Sequence, residues 1–236
     1  MTPDPHLELR LRSVADRIVN AARRAGRPPP RLLAVSKTRD AAEVAALAAL
    51  RGALGEAHPG FGENYVREAE AKIEALGDAG FEWHLIGHLQ SNKARQAAAR
   101  FDWVQTVDRR KLVGALAQWR EPARPLDVLV QVNVDDEASK HGCDPDSIPA
   151  LAEAIAREPA LRLRGLMAIP TPHDDPERRR PAFARMKVLF DVLAADYPSV
   201  DTLSMGMSDD LEQAIAEGAT LVRVGTALFG PRPPKE

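Results

Sequence analysis

Short apolar runs, several rich in β-branched residues, alternate along the chain with longer stretches whose apolar residues recur at helical spacing. The runs are Leu32–Val35, a weak one at Gly60–Gly62, Trp83–Ile86, Trp103–Val107, Val128–Val134, Gly165–Ile169, Thr202–Met205 and Leu221–Val224. Between them the pattern predicts helices over Asp40–Leu50, Glu63–Leu76, Pro145–Arg157, Glu177–Ala195 and Asp209–Glu217. Two more helices are expected to start at a Ser91 or Asn92 cap and at an Asp108 cap. An extra helix over Leu7–Ala25 precedes them all and stops at Gly26, before Pro28-Pro29-Pro30. Strand–helix alternation without hairpin turns implies a parallel sheet. Eight such units in this length fit a closed (β/α)8 TIM barrel of the α/β class, one domain over residues 1–236.

Composition narrows the partners. The chain has 236 residues, is 44% hydrophobic and 28% charged, and carries a formal net charge of −2, so it has no general attraction for nucleic acid or anionic membrane. Its single cysteine, Cys143, makes no internal disulfide and suits a reducing compartment. The first residues show no basic start followed by an apolar stretch, and no window approaches a membrane span, so a soluble cytoplasmic protein is expected. The near-neutral charge and the lack of a long apolar helix face favour a monomer.

Barrels of this kind place chemistry at the carboxyl ends of their strands. Of seven lysines among 32 basic residues, only Lys37 closes an apolar run that reads as a barrel strand. Partial desolvation there favours the neutral, nucleophilic amine, although position alone equally fits a lysine reaching back to water. After the seventh run, Ser204-Met205-Gly206-Met207-Ser208 leads into a helix that Ser208 can cap, and Gly225-Thr226 ends the eighth. Loops after strands seven and eight commonly hold phosphate in this fold. Arg223 lies two residues before Gly225, on the same strand face, and if buried needs a partner, either a carboxylate such as Asp201 or Glu63 or a ring nitrogen or phosphate of a cofactor. An amine, a phosphate cradle and an arginine under one mouth suit a phosphorylated aldehyde. Pyridoxal 5′-phosphate fits, with its aldehyde on Lys37, its phosphate on Ser204, Ser208, Gly225 and Thr226, and its ring nitrogen on Arg223. A Schiff-base sugar-phosphate aldolase also needs lysine and phosphate, but it needs further acid–base groups too. A metal site from His84 and His88 lacks an evident third ligand, and His84 reads more simply as a hydrogen-bonded barrel residue.

Six segments in order resemble one family: Ala34-Val35-Ser36-Lys37-Thr38, Phe61-Gly62-Glu63-Asn64-Tyr65, Ile86 to Lys93, Arg164 to Pro170, Leu203 to Asp210 and Val222 to Gly230. The resemblance is to the pyridoxal phosphate homeostasis proteins and covers nearly the whole chain. It implies a barrel like the N-terminal domain of alanine racemase (fold type III), with the cofactor held as a Schiff base on Lys37. It adds Asn64 and Met207 to the cofactor-binding residues. It also implies a protein that buffers or delivers the cofactor, with no robust catalytic activity and with apo-enzymes as possible recipients. The alternative is a weak cofactor-dependent amino acid racemase or lyase. An arginine at the ring nitrogen makes the cofactor a poor electron sink, and the chain has only Tyr65 and Tyr197 and no second domain to supply a racemase tyrosine. Lys140, in the polar loop 135–142, is a possible secondary amine near the exit. Two departures from the family pattern stand out. The connection Arg51 to Gly60 is long, which leaves the start of the second strand open and places the extra residues on the amino-end side. His88 stands where some relatives have proline and is assigned no essential role.

Overall fold

A computed structural model describes residues 6–135 and 141–231. Eight parallel strands close into a barrel in chain order: β1 Arg31–Val35, β2 Gly60–Glu63, β3 Glu82–Leu85, β4 Trp103–Val107, β5 Leu126–Gln131, β6 Leu161–Met167, β7 Thr202–Ser204 and β8 Leu221–Val224. Closure is made by β8 against β1, with Leu33 beside Arg223 and Ala34 beside Val224. The weak run at Gly60 does form a strand, paired on both sides, with Ala34 beside Phe61 and Gly62 beside His84.

The jacket consists of α1 Leu7–Arg24, α2 Ala41–Ala53, α3 Val66–Leu76, α4 Ala94–Arg100, α5 Arg110–Ala117, α6 Ile148–Ala156, α7 Arg180–Asp196, α8 Leu211–Ala216 and α9 Thr226–Phe229. Outward strand residues such as Ala34, Phe61, Leu85, Val104 and Val128 pack with inward helix residues such as Val14, Leu47, Leu112 and Phe183 in one continuous apolar layer. Inside the barrel a separate small cluster, Trp103, Leu129 and Met167, fills the β4–β6 side. The rest of the interior sets Leu33 among the polar side chains His84, Gln105, Ser204 and Arg223.

Several helix starts differ from the sequence pattern. Asp40 caps α2 with a reciprocal Asp40–Glu43 capping box. Asp108 caps nothing: α5 begins at Arg110, and the Asp108 carboxylate instead pairs with Arg109. Ser91 opens a single 3-10 turn, and α4 begins only at Ala94. Ser208 is not the cap of α8, because the chain makes one more turn and Asp210 takes that place. α9 was not foreseen, since four residues are too few to show a helical period. The long connection into β2 is partly helix, as α2 runs on to Ala53. Arg51, 1% exposed, explains why: it donates to the Gly60 and Leu32 carbonyls and pairs with Glu56. It thereby ties the end of α2 to the amino ends of β1 and β2. Ion pairs close that face of the barrel, with Arg31 on Glu82, Arg162 and Arg164 on Asp127, and Arg164 on Asp201.

Candidate functional site

The opposite, carboxyl face carries the sequence-predicted residues. Lys37 follows β1, Asn64 follows β2, Met207 and Ser208 follow β7, and Gly225 and Thr226 follow β8. Those four strands are consecutive around the closed barrel, so one sector of the mouth collects them. Thr226 is exposed, Lys37, Asn64, Met207, Ser208 and Gly225 are half-buried, and Ser204 and Arg223 lie buried beneath them. Lys140 lies outside the described residues.

The backbone around Lys37 is clamped from behind. Lys72 on α3, nearly buried, donates to the Ser36 carbonyl at 2.7 Å and to Oε1 of Glu63 and of Glu68, each at 2.8 Å. The Ser36 hydroxyl donates to the same Glu63 oxygen, and the Thr38 amide donates to Glu68 Oε1. Both neighbours of Lys37 are therefore held by one ion cluster, buried at Lys72 and Glu63 and half-buried at Glu68. Thr38 has φ of 66°, the only positive φ at a non-glycine among the described residues. A left-handed threonine costs energy, so the surrounding contacts must hold this turn. Burial pushes the Glu63 carboxyl above its ordinary value, while Lys72 and Ser36 oppose that shift. Its second oxygen has no hydrogen-bond partner among the described residues.

Asn64 is placed by a close approach. A Cβ at residue 87 would stand 2.1 Å from the Asn64 carbonyl oxygen, so only glycine lets the end of β3 pass there.

The arginine corner is built differently. Arg223 is 3% exposed and donates to the Ser204 hydroxyl at 2.7 Å and to the Ala168 carbonyl at 2.8 Å. Burial lowers its pKa to about 10, with Asp210 pulling the other way. The Ser204 hydroxyl in turn donates to Gln105 Oε1 at 2.7 Å. This commits the hydroxyl proton beneath the mouth, although the serine was expected at the phosphate. The loop above is tied to β8, with the Arg223 amide donating to the Gly206 carbonyl. Gly206 has φ of 91°, and a Cβ there would lie 2.5 Å from the Ala214 methyl. Asp210, 1% exposed, accepts from the Met207 amide and pairs with the buried Arg179 at 2.7 Å. Arg17 holds the Ser208 carbonyl.

His84 and His88, considered together for a metal, face different neighbours. His84 is fully buried in the barrel, stacked on Trp103. His88 lies at the rim, stacked on His141 with ring centroids 4.0 Å apart.

Sequence reasoning did not single out Gln105, Lys72 or Gln131, and it offered Glu63 and Asp201 only as carboxylate partners for Arg223, whereas Glu63 pairs with Lys72 and Asp201 with Arg164. Two of the first three carried a signal in hindsight. Gln105 is a lone amide at the centre of the apolar run Trp103–Val107, and Gln131 shares the alternating face of Leu129 at the mouth end of β5. Gln131 Oε1 is buried with no hydrogen-bond partner among the described residues, an acceptor suited to a ligand donor. An amine, a buried guanidinium, hydroxyls and glycine-bearing loops form a donor set that fits a phosphorylated aromatic aldehyde.

Comparison with known proteins agrees with this geometry. The family described as alanine racemase, N-terminal domain, matches residues 9–233. The chain is 52% identical to a pyridoxal phosphate homeostasis protein of Pseudomonas aeruginosa, covering 93% of each chain. It is 48% identical to the protein of that name from Escherichia coli, covering 94% of this chain and 95% of the relative. The solved structure of PipY from Synechococcus elongatus with PLP bound superimposes with a TM-score of 0.77 at 36% identity, covering 95% of this chain and all of that one (100%).

Proposed function

The chain belongs to the pyridoxal phosphate homeostasis protein family, built on the alanine racemase N-terminal domain fold, and from that premise we propose how its own residues hold and release the cofactor. It binds pyridoxal 5′-phosphate, and the group supplies a reactive aldehyde when bound. Lys37 supplies the amine that condenses with it, with loss of one water. The ion cluster of Lys72, Glu63 and Glu68 holds the backbone on both sides of that amine. Ser208, Gly225 and Thr226, with the Met207 segment, receive the phosphate through hydroxyls and amides. Asn64 borders the cofactor from β2. Arg223 donates to the ring nitrogen and, being a permanent donor, leaves it unprotonated.

The observation that carries this reading is the pairing of β1 with β8, which puts Lys37 at the mouth beside Gly225 and Thr226, above the buried Arg223. A site with an arginine at the ring nitrogen stores the cofactor better than it drives carbanion chemistry, so we read the protein as a buffer that passes its cargo to apo-enzymes by amine exchange. We place it in the cytoplasm as a monomer; no helix among the described residues is long and apolar enough to cross a membrane. In this reading Lys140, outside the described residues, is a second amine near the exit.

The test is reductive trapping. Borohydride treatment of the loaded protein, followed by peptide mapping, places the reduced adduct on Lys37, and Lys37→Ala loses both the adduct and the visible absorbance band. A covalent adduct that persists in Lys37→Ala overturns the assignment.

A further inference from the structure

Beneath the mouth, Arg223 begins a hydrogen-bond chain that crosses the whole barrel. Arg223 donates to the Ser204 hydroxyl, and Ser204 donates to Gln105 Oε1. Gln105 Nε2 meets His84 Nδ1 at 2.9 Å, and His84 Nε2 meets Glu82 Oε1 at 2.6 Å. Arg31 closes the chain on the same Glu82 oxygen at 2.8 Å. Its members come from β8, β7, β4, β3 and β1, and Ser204, Gln105 and His84 are each 0% exposed.

The chemistry of the two ends dictates its direction. A guanidinium can only donate, so the serine oxygen accepts and its hydrogen must go onward. That hydrogen needs the amide oxygen of Gln105, which turns the Gln105 NH2 toward His84. Nδ1 of His84 must then accept, which puts the ring hydrogen on Nε2, pointing at the Glu82 carboxylate. Every link from Arg223 to Glu82 donates the same way, from the cation at the carboxyl face to the anion at the amino face, where Arg31 donates to Glu82 from the other side. Reversing one link leaves two donors or two acceptors facing each other in a dry interior.

We propose that Gln105 and His84 are positioning residues for the cofactor, acting through Ser204 to lock the Arg223 guanidinium in the orientation that meets the ring nitrogen. The proposal rests on the reading that Arg223 donates to that nitrogen. In that reading the chain acts on the ring end of the cofactor, through the Arg223 guanidinium.

The experiment loads wild type, Arg223→Leu, Gln105→Leu, His84→Leu and His84→Gln with pyridoxal 5′-phosphate labelled with 15N in the ring. It reads the ring-nitrogen resonance, the absorbance band and the dissociation constant. Gln105→Leu and His84→Leu are expected to move the ring resonance in the direction seen in Arg223→Leu and to weaken binding about tenfold, the worth of one buried hydrogen bond of the stronger kind. His84→Gln preserves an acceptor toward Gln105 and a donor toward Glu82, so it restores the wild-type resonance. If the resonance moves in Arg223→Leu but stays at its wild-type position in Gln105→Leu and His84→Leu, the proposal is overturned. If Arg223→Leu itself leaves the resonance unmoved, the ring-nitrogen reading falls, and the proposal falls with it. A measurement on the wild-type protein guards against variants that do not fold: imidazole 15N shifts of His84 should show Nε2 protonated and Nδ1 bare, and the opposite tautomer overturns the chain.

Discussion

The two corners of the site are held by opposite means. Around Lys37 the support is ionic and comes from outside the barrel: one lysine and two carboxylates from β2 and α3 grip the backbone on either side of the amine. Around Arg223 it comes from inside and is neutral in its middle, with charge only at the two ends. In the proposed reading the amine bonds and lets go, which suits a clamp on the backbone of its turn, and the guanidinium keeps one task, which suits a clamp on the side chain itself. A charge cluster suits the first job, because it can bind several backbone groups at once. A one-way chain of neutral groups suits the second, because it specifies direction without burying another uncompensated ion.

The largest expected effect comes from breaking the ionic corner. Lys72→Met leaves the buried Glu63 carboxyl without its cation, which costs roughly 3 to 5 kcal/mol. In a chain of this size that lowers the melting temperature by roughly 10 °C, as differential scanning calorimetry would show. Adding Glu63→Gln removes the stranded carboxyl and should restore most of the loss. Equal melting temperatures for wild type and Lys72→Met would mean that the cluster does not hold the turn.

A pH series separates the corners by sign. Burial lowers the His84 pKa from its ordinary 6.5, with Glu82 opposing the shift. Its contribution to stability is therefore present above pH 6.5 and is lost as pH falls through the lowered value. Glu63 runs the other way: its pKa is raised, so its contribution is full below its ordinary 4.5 and is lost as pH rises through the raised value. Melting temperatures between pH 4 and 7 should show less acid-induced loss in His84→Gln than in wild type. Glu63→Gln should remove the component that declines with rising pH. Identical slopes in wild type and both variants would refute this opposition.

The smallest effect tests the strain beside the amine. Thr38→Gly relieves a left-handed backbone at the cost of a more flexible unfolded chain, so the net stabilisation is at most about 1 kcal/mol. The covalent link should form with the same trapping yield. A strong destabilisation would show that the threonine side chain, and not the ion cluster, holds the turn.

The strand order and the strand-end positions of Lys37, Asn64, Ser208, Gly225 and Thr226 were legible because they depend on local period and on the rule that such barrels use their carboxyl face. Even the weak strand at Gly60–Gly62 was placed, since its neighbours left no other place for it. Helix starts were less legible. Asp108 and Ser208 have the right chemistry for caps, yet Arg109 engages one and Asp210 stands in place of the other. Competition among nearby polar groups is decided by geometry that composition does not contain.

By itself the chain determined the alternation, the closed barrel and the presence of a lone lysine and an arginine at neighbouring strand ends, because those follow from spacing along the backbone. Only the tertiary structure decided what stands behind each of them. Lys72 and Ser36 are 36 residues apart, and Ser204 and Gln105 are 99 apart. No periodicity links such positions, and a hydrogen bond acts over about 3 Å of space whatever the length of chain between its partners.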